Sequence, residues 1–466
     1  MHPSILRRRA VVLAVLPALA LTACSRSNVK EVAPQVSGTP SAGGQAPNAD
    51  FGSLKSVCGP GSGTKGTTTA QGLTADSIQV GVISDVGFPG QPGLNHELND
   101  VADVFSKWCN DNGGINGRKI KIVKRDAAVL NVKKVMTQAC AADFVLAGGF
   151  AVQDGQVIKD RLKCLLPDFP GAAVDATVRG ADLTFQTNPS ESNSAVLGVY
   201  DYFKKKYPGS QNAMGFLTAN ISNFATIHDQ NAEAVKKLGY KIVYDQQYNS
   251  SGESSYLPFA QAMKSKGVKV LGWLGGLEQL APLEQAMKQI NYYPDAILGT
   301  VAGYDDKWLA LAPGAVKNTY EAGGTLPFTS TAPAMTKYLD LFKHYDSSVD
   351  PRSSLGALSF GAWLLFAHSA SECGADLTRA CLVQKALAVT SWDAGGLHGP
   401  ANPGKSTSSP CYGLEVSTGD HLQAVSDFGA TNGPFNCSPA NIVRLSGNYG
   451  TPATLASVGK SLSDLK

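Results

Sequence analysis

TADSIQVGVISD, from Thr74 to Asp85, is followed by LNDVADVFSKWCNDNGGINGRKIKIV, from Leu98 to Val123. Ile78, Val80 and Val82 alternate with small or polar residues, the period of a strand. Leu94, Leu98, Val101, Phe105 and Trp108 recur every three or four residues and mark one face of a helix. Gly113-Gly114 stop that helix, and Ile120 to Val123 begin a second apolar strand. Strand, helix, strand in this order is a βαβ unit, which implies a parallel sheet with helices over it.

The pattern continues outward. A helix around Val132, Val135, Met136 and Ala139 leads to FVLAGG, and a shorter one leads to CLLPDFP. After Phe185-Gln186-Thr187-Asn188 the alternation restarts. Helices are expected at 194–206, 227–238, 256–265 and 280–290, each followed by a strand, at 213–217, 241–244, 268–274 and 296–298. Helices over 335–344, 355–370 and 381–389 follow, then a hairpin-like region over 411–425 and a polar tail. Roughly 390 residues in this pattern exceed one typical core, so two α/β lobes are expected.

The N-terminus carries Arg7, Arg8 and Arg9, then an apolar run from Ala10 to Leu21 too short to span a bilayer. This is the build of an export signal, and the arginine pair leaves both the general and the twin-arginine routes open. The run ends in Leu21-Thr22-Ala23-Cys24, which resembles the lipobox of bacterial lipoproteins. That resemblance implies cleavage after Ala23, lipidation of the Cys24 thiol, and a place on the outer face of the cytoplasmic membrane. Residues 24–72 are poor in large apolar side chains and read as a flexible tether, with a reach of about 40 Å for roughly 50 residues.

Removing residues 1–23 takes away three arginines and no acid, so a formal charge of +3 becomes zero. A neutral chain has no electrostatic attraction to nucleic acid. Eight cysteines remain besides Cys24. An even number in an exported chain favours disulfides, although eight allow 105 pairings. Spacing suggests Cys109–Cys140, Cys373–Cys381 and Cys411–Cys437, which leaves Cys58–Cys164. No metal-ligand spacing occurs, and no cofactor is expected. No G-x-S-x-G or H-E-x-x-H pattern is present, and the seven histidines are scattered, so no enzymatic activity is expected.

HGPANPGKS, from His398 to Ser406, fits the phosphate-loop pattern through Gly399, Gly404, Lys405 and Ser406. Pro400 and Pro403 remove amide donors, and no helix pattern follows Lys405, as phosphate binding requires. The segment reads as an exposed crossover.

Taken together, the lipobox, TADSIQVGVISD, WCNDNGGINGRKIKIVKRD (108–126) and YNSSGESSYLPFAQAMKSKGVKVLGW (248–273) resemble the type I solute-binding proteins of ABC importers. The likeness is to their leucine/isoleucine/valine-binding group, in the lipid-anchored form of actinobacteria. The resemblance implies two doubly wound lobes joined by three crossovers, here near Thr187–Asn188, Leu326–Phe328 and Gly395–Pro410. One lobe would comprise 73–188 plus 327–398, the other 189–326 plus 410–445, leaving 446–466 as a tail. It also implies a monomer that closes on a small organic solute by hinge motion and presents it to a membrane permease. A sensory or envelope receptor of the same fold, without transport, is the alternative.

In open α/β sheets ligands lie beyond the strand carboxyl ends. The residues placed there are Asp85, Phe88, Gly148, Gly149, Phe150, Ala172 and Ala173 in the first lobe. In the second they are Asn220, Phe224, Gly276, Glu278, Tyr304 and Asp305. Amides of Gly148-Gly149 and Gly171-Ala172-Ala173 are expected to hold a carboxylate, as in amino-acid-binding relatives. Two loops depart from that pattern: GGFAVQDG has Phe150-Ala151 where relatives offer a hydroxyl, and GTVAGYDDKW shifts the acid to Asp305 or Asp306. Phe88, Phe150, Phe224 and Tyr304 would suit a larger, less polar ligand.

Overall fold

A computed structural model describes residues 48–62, 69–299 and 306–465. The export signal, Cys24, Tyr304 and Asp305 lie outside these residues.

The first sheet is built from β1 (Ser77–Ser84), β2 (Lys119–Asp126), β3 (Val145–Ala147) and β4 (Asp168–Phe169), in the order β2-β1-β3-β4 and parallel throughout. Helices α1 (Glu97–Asp111), α2 (Val132–Ala142) and α3 (Ile158–Lys163) connect them. Both faces of β1 are covered, so its residues are buried almost throughout, as a central parallel strand requires. Between α1 and β2, Gly114 has φ +79°, and a Cβ there would lie 2.1 Å from the Arg118 carbonyl oxygen. Only glycine closes that turn. Arg125 at the end of β2 grips Asp143 with two bonds of 2.7 Å, fixing β2 against the start of β3.

The second sheet follows β5 (Ser194–Val196) and α4 (Val199–Lys206). It comprises β6 (Met214–Ala219), β7 (Ile242–Tyr248), β8 (Val270–Leu274), β9 (Ala296–Leu298) and β10 (Thr319–Gly323). Between these run α5 (Ser222–Lys237), α6 (Leu257–Lys266), α7 (Leu277–Gln289) and α8 (Asp306–Leu311). The chain then passes through α9 (Pro333–Tyr345), α10 (Ser354–Ser371) and α11 (Arg379–Ala388), and returns as β11 (Gly413–Ser417), β12 (Leu422–Ala424) and β13 (Ile442–Arg444). The order is β12-β11-β10-β9-β8-β6-β7, parallel except for the β10-β11-β12 edge.

α10 belongs to the first sheet, where Phe360 and Trp363 pack with Phe105 and Trp108 of α1. Its uniform apolarity reflects burial on all sides. Among the described residues no helix is long and apolar enough to cross a membrane.

Several expectations need correction. Ser194–Val196, read as the start of a helix, is a strand paired antiparallel with β13. β10 was not recognised, because Thr-Tyr-Glu-Ala-Gly lacks an apolar alternation. Residues 51–58, read as tether, are packed: Phe51 is fully buried against Trp108 and Phe360, and the Trp108 indole donates to the Asn48 carbonyl. Two disulfides are re-paired as Cys58–Cys109 and Cys140–Cys164, with Cα separations of 5.2 and 5.7 Å. Docking of residues 51–58 on α1 brings Cys58 to its C-terminal end, while α2 and α3 lie side by side and join Cys140 to Cys164. Cys373–Cys381 and Cys411–Cys437 form as expected.

The tail is also held. Glu233 of α5 accepts hydrogen bonds from the Ser446 and Gly447 amides and from the Tyr449 hydroxyl. A few residues on, Ala453 and Leu455 bond to the loop after β4, through Thr177 and Asp182. The C-terminus therefore runs from the second lobe onto the first.

Candidate functional site: the interlobe hinge and the strand ends

The three crossovers meet. Gly399 donates its amide to the Gly324 carbonyl, and Leu326 to that of Leu397. At the centre is Thr187, buried, whose hydroxyl oxygen accepts from the Trp392 indole at 3.0 Å and bonds His398 Nε2 at 2.8 Å. His398 Nδ1 lies 2.7 Å from the Gly399 carbonyl oxygen, an acceptor, so Nδ1 carries the proton. Nε2 then accepts from Thr187, and every polar group in the chain from Trp392 to Gly399 is satisfied in one direction. Burial pushes the His398 imidazole down to about 4, which keeps it neutral in this role. Nothing in the sequence marked His398 as important; its partner lies 211 residues away. The segment 398–411 is thus part of the hinge. Pro403–Lys405 forms a single 3₁₀ turn, and Ser406 adopts φ +49°, so no helix begins at the lysine as a phosphate loop needs.

At the first sheet's carboxyl ends, Asp85 is fully buried, and its two oxygens accept the amides of Val129 and Val152 at 2.6 and 2.8 Å. It ties three loops together, and each of its oxygens is engaged by the protein itself. The expected anion cradle is likewise reduced. The Gly148 amide is bonded to Phe169 and the Gly171 amide to Gly149. Gly148 has φ +67°, and a Cβ there would lie 2.2 Å from Trp363 Nε1, so its glycine serves packing against α10. The amides of Gly149, Ala172 and Ala173 make no hydrogen bond among the described residues.

Phe88 and Phe150 are half-buried. Phe150, Ala172, Ile83, Met136, Arg161 and Asp168 are among the residues that line a cavity of about 40 Å³. Asp154, which sequence reasoning passed over, accepts the amides of Val174 and Asp175 and so joins the loops after β3 and β4. Burial pushes its carboxyl up to about 7.

In the second lobe, Asn220 is exposed and bridges the ends of β6 and β7 by accepting from the Ser250 amide. Phe224 is half-buried in the first turn of α5, and Gly276 caps α7, where Glu278 stands exposed. A direct polar contact spans the lobes: Arg179, in the loop after β4, donates to Gln230 of α5 at 2.8 Å.

Two wound sheets, hinged at three converging crossovers with loops gathered at their strand ends, define a two-lobed binding protein. The chain belongs to the periplasmic binding protein family, whose sequence model matches residues 77–420. Solved structures agree on the fold. The fatty acid ABC transporter substrate-binding protein from Thermomonospora curvata superposes with a TM-score of 0.68 at 17% identity, covering 80% of this chain and 96% of that one. A branched chain amino acid ABC transporter from Thermus thermophilus with bound valine gives 0.66 at 14% identity, covering 78% and 98%. The substrate-binding periplasmic protein from Ralstonia solanacearum gives 0.64 at 16% identity, covering 75% and 100%. The search of curated proteins finds no match.

Proposed function

We propose that this protein is an extracytoplasmic, lipid-anchored solute-binding protein that captures a small organic solute by hinge closure and delivers it to an ABC importer. The observation that carries this reading is the meeting of the three crossovers at Thr187, Gly324 and His398. Such a joint leaves the two sheets free to rotate about a fixed, fully hydrogen-bonded core. A solute held between the strand ends, by the Gly149, Ala172 and Ala173 amides on one side and the Asn220–Gly276 loops on the other, favours the closed form. The protein binds and releases; it does no chemistry on the solute. Relatives whose names include fatty acid or bound valine support a ligand with an apolar part.

The test is a thermal-shift screen of the chain from Ala46 onward against amino acids, amides, polyamines, sugars and organic acids. A true ligand raises the melting temperature saturably, by mass action. Failure of every class to do so refutes solute binding. Anchoring is tested separately: the full-length protein expressed in an actinobacterial host should partition into detergent, and Cys24→Ser should move it to the aqueous phase.

A further inference from the structure

Residues past β13 are fastened to both lobes within a few positions of one another. On the side of the second sheet, the Leu445 amide bonds to the Asn193 carbonyl. Glu233 of α5 accepts from the Ser446 amide at 2.6 Å, the Gly447 amide at 3.0 Å and the Tyr449 hydroxyl at 2.6 Å. Lys237, a turn further along α5, donates to the Arg444 carbonyl at 2.7 Å and to the Ser446 hydroxyl at 2.8 Å. On the side of the first sheet, the Ala453 amide donates to the Thr177 carbonyl at 2.8 Å, and the Ala453 carbonyl accepts from the Asp182 amide at 3.0 Å. The Leu455 amide bonds to the Asp182 carboxylate at 2.7 Å. Ala453 and Leu455 are buried, and the 3₁₀ turn Ala456–Val458 lies beside α3.

Tyr449 and Ala453 are four residues apart, and four fully extended residues reach about 14 Å at most. That length limits how far α5 can move from the loop after β4. The segment between them is packed. A Cβ on Gly450 would stand 3.0 Å from that of Ala176, and one on Gly180 would stand 3.6 Å from Pro452. It also runs beside the hinge. Ser406, in the third crossover, is 3.8 Å from the same position at Gly180, and Gln230 of α5 donates to the Ser192 carbonyl, just past the first crossover, at 2.6 Å.

The same loop and helix are joined by Arg179 and Gln230, which are 8% and 2% exposed. Arg179 Nε has no hydrogen-bond partner among the described residues. Burial holds its guanidinium below the usual range, with Asp154 and Asp175 partly offsetting the effect. A desolvated guanidinium gains hydration when such a seam opens, so this contact does not by itself keep α5 against the loop. The tail adds backbone bonds and buried apolar side chains across the same seam.

We propose that residues 446–455 are a fourth link between the lobes, a strap beside the hinge that limits how far they open. A solute-free protein held near its closed form spends a larger fraction of time competent to bind, which raises its apparent affinity. The strap rests on the hinge reading above and on no particular solute.

Small-angle X-ray scattering of the chain from Ala46 onward, without solute, tests it on two variants. One lacks residues 446–466. The other, Glu233→Ala with Asp182→Ala, keeps the tail and loosens both of its anchored ends, which faster amide exchange at Ala453 and Leu455 verifies. The expected result is a radius of gyration about 1 Å above wild type in both, on the roughly 22 Å of a compact chain of about 420 residues. Unchanged far-ultraviolet circular dichroism separates opening from unfolding, and the double variant decides if the deletion does not fold. Scattering identical to wild type, in the folded deletion or in a double variant with a released tail, overturns the strap. The thermal-shift screen judges solute binding independently: a ligand found with unchanged scattering removes only the strap, and wider scattering with no ligand found removes only the solute-binding reading.

Discussion

Thr187→Val is the sharpest perturbation of the hinge, because it keeps the side-chain shape and removes only the hydroxyl. Thr187 is 1% exposed, so water cannot replace the lost group. Two partners are orphaned at once, the Trp392 indole N–H and the His398 Nε2 lone pair. Each buried unsatisfied group costs about 1–3 kcal/mol, and the extra buried methyl returns about 1 kcal/mol, giving a net loss of about 3 kcal/mol. Unfolding entropy of about 2 cal/mol/K per residue over roughly 400 folded residues converts this to a fall in melting temperature of about 3–4 °C. Thr187→Ser keeps the hydroxyl, loses a methyl, and should fall by only about 1 °C. Differential scanning calorimetry at pH 7, with both variants measured side by side, reads the difference. If Thr187→Val melts no lower than Thr187→Ser, the hydrogen-bonded chain carries no net energy and the account of the hinge is wrong.

Other tests address separate parts of the molecule. His398, pushed down from 6.5 to about 4 by burial, stays neutral while the unfolded chain gains a proton, so its contribution is present above pH 6.5 and lost as pH falls through 4; an imidazole NMR titration midpoint near 6.5 in the folded protein would contradict this. Glu284, buried in α7 and bonded to Trp308 and Thr319, is pushed up to about 8 by burial. Its contribution is intact below pH 4.5 and lost as pH rises through 8, so Glu284→Gln should gain a few kcal/mol over wild type between pH 5 and pH 8 in urea unfolding; an equal gap at both pH values would show that the carboxyl is already ionised. Glu233→Ala should release the tail, seen as faster amide exchange at Ala453 and Leu455; unchanged exchange there would mean the contacts with Thr177 and Asp182 hold the tail alone. Non-reducing peptide mapping of exported protein should recover Cys58 with Cys109 and Cys140 with Cys164, and recovery of Cys58 with Cys164 would refute the packing of residues 51–58.

What the sequence by itself determined is whatever repeats within one element and its turn. The period of Ile78, Val80 and Val82, the helix stripe to Trp108, and the glycine turn at 113–114 gave parallel α/β layers, because each depends on contacts a few residues apart. The restart after Asn188 gave a second lobe by the same argument, and the residues near Thr187, Leu326 and Gly395–Pro410 were correctly read as crossovers. Which atoms of the candidate ligand residues are already engaged by the protein itself was hidden in the sequence. Asp85 was placed correctly at a strand end, but only the fold shows that the loops after β2 and β3 come back to occupy both its oxygens.

Tertiary structure alone decided the partners. Cys58 meets Cys109 because an otherwise unremarkable segment inserts Phe51 between α1 and α10. Thr187 meets His398 only once the chain has crossed between the lobes and come back. Local periodicity carries no information about strand order or register between segments a hundred residues apart, so the hinge network leaves no mark in the sequence.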